Sequence, residues 1–109
     1  MYSIKTTKQF KTDFKKLNYQ EQKDVQEIVN QLEAGKQLPE KAKDHPLKGK
    51  LRGLRGCHVR PDLILIYSKE EQLKLIKLIR VGNHNNLQLS ALQRNFANVS
   101  NNVIKDSED

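Results

Sequence analysis

The sequence predicts an α+β domain: an antiparallel or mixed sheet of four to five strands with an N-terminal helical hairpin packed on one face. Three observations carry this. Between residues 10 and 32 the apolar residues fall at helical spacing. Leu63 to Tyr67 is a five-residue apolar run bounded by polar residues, as a buried strand requires. The helical patterns come first and the strand patterns later, an order that segregates helices from sheet rather than alternating them. At 109 residues the chain is long enough for one domain with one modest core. The expected division is a folded domain over residues 1–92 and a polar tail, partly disordered, over 93–109.

Residues 2–5 read as an edge strand. A helix follows, capped by Thr6 or Thr7. Phe10, Phe14 and Leu17 fall at i, i+4 and i+7, with Lys11, Lys15 and Lys16 off that stripe. Asn18 breaks the pattern, and Asn18 with Glu21 has capping-box spacing, so a second helix starts there. Val25, Ile28, Val29 and Leu32 give its buried face and Gly35 its stop. Residues 36–50 form a lysine-rich connection in which Pro46 pushes His45 into an extended conformation. Leu51 to Leu54 reads as a short strand, Cys57 to Arg60 as another, and Pro61-Asp62 as a bend. Ser68 to Gln72 is a polar turn. Leu73 to Val81 is the return strand of a hairpin, because the preceding strand needs a partner. Asn85 to Arg94 can form a short terminal helix, and from Asn95 onward there is little to bury.

Composition narrows the function. The net charge is +7, and residues 41–60 hold seven cations, Lys41, Lys43, Lys48, Lys50, Arg52, Arg55 and Arg60, against Asp44 alone. Such a balance suits a polyanionic partner, unless the run is simply a solvated loop. One cysteine, Cys57, excludes an internal disulfide and a cysteine-based zinc cluster, and packing in a strand explains it better than a nucleophilic role. No apolar run reaches membrane-span length and no signal-peptide core is present, so a cytoplasmic protein is expected.

The chemistry these residues permit is cleavage of RNA without metal. The step needs a base for the 2′-hydroxyl proton, an acid for the leaving 5′ oxygen, and cations for the phosphoryl oxygens. Histidine suits the first two roles and arginine the third. The chain carries His45, His58 and His84, with Asp62 between the last two and Arg55, Arg60 and Arg80 nearby in sequence. Each has a plainer use: His45 as a turn residue, His58 as a hydrogen-bonded core residue, His84 as a loop or cap residue, Asp62 as a turn-former after Pro61. A metal site is the rival use of the set, but the His58-to-Asp62 spacing matches no common ligand motif, so no metal and no cofactor is expected.

Lys43-Asp44-His45-Pro46-Leu47-Lys48-Gly49, followed by His58-Val59-Arg60-Pro61-Asp62-Leu63-Ile64-Leu65-Ile66-Tyr67, resembles the YafQ-like branch of the RelE/ParE toxin superfamily. Arg80-Val81-Gly82-Asn83-His84 is similar to the family's Arg-x-Gly-x-His ending. The resemblance covers residues 1 to about 90. It implies a RelE-like fold and a ribosome-dependent mRNA endoribonuclease of a type II toxin–antitoxin module, acting in the ribosomal A site. By the same resemblance His45 is the general base and His84 the general acid, with His58 and Asp62 completing the constellation. Arg80 then stabilises phosphoryl charge and Arg55 binds backbone, with Lys48, Lys50, Arg52 and Arg60 as further substrate-binding cations. The implied partners are mRNA on the ribosome and a cognate antitoxin whose acidic segment covers the cleft in a hetero-oligomeric complex. Two positions depart from the pattern: Gly56 stands where relatives often have an acid, and Gln88 where an aromatic often follows the last histidine. The alternatives from other classes are a non-catalytic ParE-like toxin and a plain basic RNA- or ribosome-binding module.

Overall fold

A computed structural model describes residues 1–83 of the chain. The helices lie where the apolar spacing puts them. Helix α1, Lys8–Lys15, starts at Thr7, whose Oγ1 accepts the Phe10 backbone N–H at 2.9 Å. Phe10 and Phe14, one turn apart, stack with ring centroids 5.8 Å apart. Helix α2, Tyr19–Glu33, opens on a complete capping box: Asn18 Oδ1 accepts from Glu21 N at 2.8 Å, and Glu21 Oε1 accepts from Asn18 N at 3.0 Å. It ends at Gly35, whose φ of +76° only glycine adopts at low cost. The N–H of Gly35 bonds the Leu32 carbonyl and that of Lys36 the Gln31 carbonyl, so the last orphan acceptors are satisfied.

The sheet has five strands: β1 Ser3–Thr6, β2 His45–Pro46, β3 Arg55–Arg60, β4 Leu63–Glu70 and β5 Leu75–Gly82. Their spatial order is β1-β5-β4-β3-β2. Only the β1–β5 pair is parallel, and both edge strands are short, which limits the exposed edge. Beyond Thr6 no strand among the described residues lies beside this edge of β5, and Thr7 and α1 take over. Thr7 Oγ1 donates to the Ile79 carbonyl at 2.8 Å, and Asp13 Oδ2 accepts the Val81 N–H at 3.2 Å.

Strand β4 is apolar without alternation because both its faces are covered. Leu63, Leu65 and Tyr67 pack with Phe10, Val25 and the other helix residues. Ile64 and Ile66 face away from the helices, against Leu51, Ile79, Leu47 and Leu54. Each fully buried Leu or Ile contributes about 1.5–3 kcal/mol from surface removed from water.

The strand boundaries differ from the sequence expectation in two places. Leu51 to Leu54 is not a strand: Gly49–Leu51 forms a single 3-10 turn that drops Leu51 onto the sheet, and β2 forms earlier, at His45–Pro46. The hairpin turn lies at 71–74, not at 68–72. Ser68, Lys69 and Glu70 pair with Lys77, Ile76 and Leu75, so backbone ladder bonds extend the hairpin past the apolar run. Leu73, placed in the return strand by its apolarity, is an exposed turn residue. The terminal helix expected at 85–94 and the tail after it lie outside the described residues.

Candidate active site

The segment that carries His45 is built from three constraints. Lys43 sits in the left-handed region at φ 50°, which turns the chain. Asp44 then points inward, and its Oδ1 accepts from the Tyr67 hydroxyl at 2.7 Å and from Arg55 Nε at 3.2 Å. His45 and Pro46 pair with Gly56 and Arg55 of β3. The His45 ring is exposed, and its Nδ1 lies 2.6 Å from the Lys43 carbonyl oxygen. A carbonyl only accepts, so Nδ1 carries a proton, and in the neutral ring the lone pair is on Nε2.

Strand register brings His58 to the same face. His45 stands opposite Gly56, and His58 is two residues further along β3, so the two residues are diagonal neighbours on one face of the sheet. His58 pairs with Ile64, and Ile64 with Gly82, a row that crosses β3, β4 and β5 on the face away from the helices. Lys48 and Arg52, both exposed, flank this face on the 3-10 turn.

The row ends at a cleft of about 250 Å³ between the helical hairpin and the strand ends. Asp62, Arg80, Lys16, Glu21 and Asn83 line it. Asp62 is exposed on the β3–β4 turn. The sequence continues from Asn83 into His84, whose place lies outside the described residues. The structure thus groups His45 with His58, and Asp62 with Arg80, with Gly82 common to the row and the cleft. A second groove, about 350 Å³, opens along β3 beyond the end of β2, bordered by His58, Arg60, Lys41 and Lys43.

Three of the four arginines in the sequence-predicted set, Arg55, Arg60 and Arg80, have a carboxylate partner. Arg80 Nε and Nη2 grip Asp13 at 2.9 and 3.1 Å. Arg60 Nε meets Asp24 at 2.5 Å, and this contact holds the Asp24 carboxyl below its usual range. Arg55 meets Asp44. Such pairing fixes guanidinium position while retaining charge. The Cys57 thiol is pushed up to about 12 by burial and by the nearby Asp44, so it is no nucleophile near neutral pH.

Asp13, Asp44 and Tyr67 were not singled out from sequence, although two signals were available. Asp13 falls with Phe10, Phe14 and Leu17 on the buried stripe of α1, where a carboxylate needs a cation. Tyr67 ends a buried run, where its hydroxyl needs an acceptor.

Residues 2–89 match the family described as bacterial toxin of type II toxin-antitoxin system, YafQ. The chain belongs to the YafQ toxin family. Among YafQ-family proteins, the mRNA interferase toxin YafQ of Escherichia coli strain K12 is 49% identical over 47 residues, 43% of this chain and 49% of that protein. The chain thus spans about half the length of the curated relatives it matches. A metal-bound toxin from Helicobacter pylori superposes with a TM-score of 0.69 at 37% identity, covering 80% of this chain and 99% of that one. YafQ in the E. coli DinJ-YafQ toxin-antitoxin complex gives 0.69 at 32% identity, covering 79% and 96%. The expected YafQ-like resemblance and α+β fold are therefore correct. No helix among the described residues is long and apolar enough to cross a membrane.

Proposed function

We propose that this YafQ-family toxin is an endoribonuclease that cuts mRNA on the ribosome through metal-independent attack by the substrate's own 2′-hydroxyl. His45 Nε2 takes the 2′ proton, the 2′ oxygen attacks the adjacent phosphorus, and the bond from phosphorus to the 5′ oxygen breaks. His84 gives that leaving oxygen its proton. The products are a 2′,3′-cyclic phosphate and a 5′-hydroxyl end. Arg80, fixed by Asp13, bears on the phosphoryl oxygens, His58 and Asp62 position the nucleotide, and Arg55, Arg60, Lys48, Lys50 and Arg52 give the surface its affinity for backbone phosphate.

The observation that carries the reading is the His45 contact with the Lys43 carbonyl at 2.6 Å, which makes Nε2 the proton-accepting nitrogen of the neutral ring on an exposed imidazole. The naming of relatives as mRNA interferase toxins supports the substrate class. The DinJ-YafQ complex supports a cognate antitoxin for this chain in a hetero-oligomer, and the net charge of +7 calls for an acidic segment on that partner. The site of action is the cytoplasm, where the ribosomes are. Induced expression followed by mapping of mRNA 5′ ends tests the proposal. Cuts at in-frame codons, lost in His45→Ala and in His84→Ala, are expected. Intact mRNA with accumulating DNA breaks would overturn it in favour of a ParE-like toxin. Toxicity that survives replacement of all three histidines would favour a binding module.

A further inference from the structure

A two-residue strand makes few ladder bonds, and β2 lies at the sheet edge. Yet the proposed base at its first residue must be held within a few tenths of an ångström to act. The anchor is on the residue before it. Asp44 Oδ1 is reached by the Tyr67 hydroxyl at 2.7 Å and by Arg55 Nε at 3.2 Å. Tyr67 is fully buried on β4, two strands inward, so its position is set by the core. Burial first, and then the Asp44 contact, raise the hydroxyl's pKa, so it remains a protonated donor under any physiological condition.

We infer that the Asp44–Tyr67 hydrogen bond is the positioning device for His45: it ties the edge segment to the core and so holds the imidazole with Nδ1 on the Lys43 carbonyl. Asp44 and Tyr67 are positioning residues, since neither carries a proton in the reaction. The inference rests on the proposed role of His45 and adds the residues that make that role possible. The geometry also accounts for Asp44 beside His45. The backbone direction that sends Asp44 inward sends the next side chain outward, by the alternation of extended chain. Truncation at either residue frees the ring to rotate and to exchange its tautomers.

Tyr67→Phe is the test, because it keeps the ring in the core and removes only the hydroxyl, which donates to Asp44 and also meets Arg55. On ribosomes programmed with a cleavable codon, the single-turnover rate constant is expected to fall at least tenfold, with half-saturation unchanged within about twofold. In ¹⁵N-resolved spectra of the free protein, the neutral His45 ring of the wild type should show one tautomer, Nδ1-protonated, and the variant should show averaging. Asp44→Asn, which keeps an acceptor oxygen for the hydroxyl, should retain the single tautomer, whereas Asp44→Ala should lose it. An unaltered rate and tautomer in Tyr67→Phe would overturn the inference, as would loss of the single tautomer in Asp44→Asn equal to that in Asp44→Ala. If Tyr67→Phe does not fold, the Asn and Ala pair decides. Full cleavage by His45→Ala would instead remove the proposed base, and the spectra would still decide what positions the ring.

Discussion

Arg80, Arg60 and Arg55 each look in the sequence like phosphate ligands, and each is held by an acid in the fold. The Asp13–Arg80 pair matters most for stability. Asp13 is only 8% exposed at the side chain, Arg80 only 16%, and the same carboxylate serves the Val81 N–H. Removing one partner of such a pair leaves the other poorly solvated. Asp13→Ala is expected to cost about 3 kcal/mol, read from the urea midpoint, and to lower cleavage by loosening Arg80. Stability within about 0.5 kcal/mol of wild type would contradict the pairing. Cys57 gives a contrasting expectation. With its thiol held at about 12, it should resist iodoacetamide at neutral pH, and Cys57→Ala should still cleave.

At the level of elements, the 3-10 turn Gly49–Leu51 holds the cationic loop against the sheet through Leu51, which is 2% exposed. Leu51→Ala should cost about 2–4 kcal/mol in denaturant titration. Asn18→Ala should cost about 1 kcal/mol by removing the capping box of α2. A loss of 3 kcal/mol or more, roughly, at Asn18 would show that this end does more than cap the helix. Both helices and the β4–β5 hairpin were legible because their signals are local: apolar spacing, a capping pair, a run with polar ends. The turn at 49–51 was not, because Leu51 is buried by residues far along the chain, Ile64, Ile66 and Ile79, and in sequence a lone leucine between glycines resembles a strand. The register that aligns His45 with His58 was equally hidden, since it depends on which residue of β3 faces β2. Gly56 is legible only in the fold: a Cβ there would stand 3.3 Å from Leu47 Cδ2, so the small residue lets the loop lie close over β3. His45 presented by Pro46, by contrast, followed directly from the restriction on residues before proline.

For the whole molecule, two surface contacts set the response to acid. Arg60 holds the Asp24 carboxyl below its ordinary 3.8, and the Tyr2 hydroxyl holds that of Glu71 below 4.5. A carboxyl with a depressed folded pKa contributes stability that is complete above its unfolded value and lost as pH falls through the folded one. Stability should therefore be level in this respect above about pH 5 and decline below about pH 4.5. Asp24→Asn should flatten that decline in urea midpoints taken from about pH 6 to about pH 3. An unchanged slope would mean the Arg60 contact does not persist in solution. One face of the sheet carries His45, His58, Lys48 and Arg52, and the cleft of Asp62 and Arg80 opens between the helical hairpin and the strand ends. That the face cuts RNA through the substrate's own 2′ oxygen is tested most directly by mass spectrometry of the 3′ end left after purified protein acts on programmed ribosomes. A 2′,3′-cyclic phosphate, absent with His45→Ala, is the predicted product. A 3′-hydroxyl end, or the cyclic product at an undiminished rate from His45→Ala, would contradict the account.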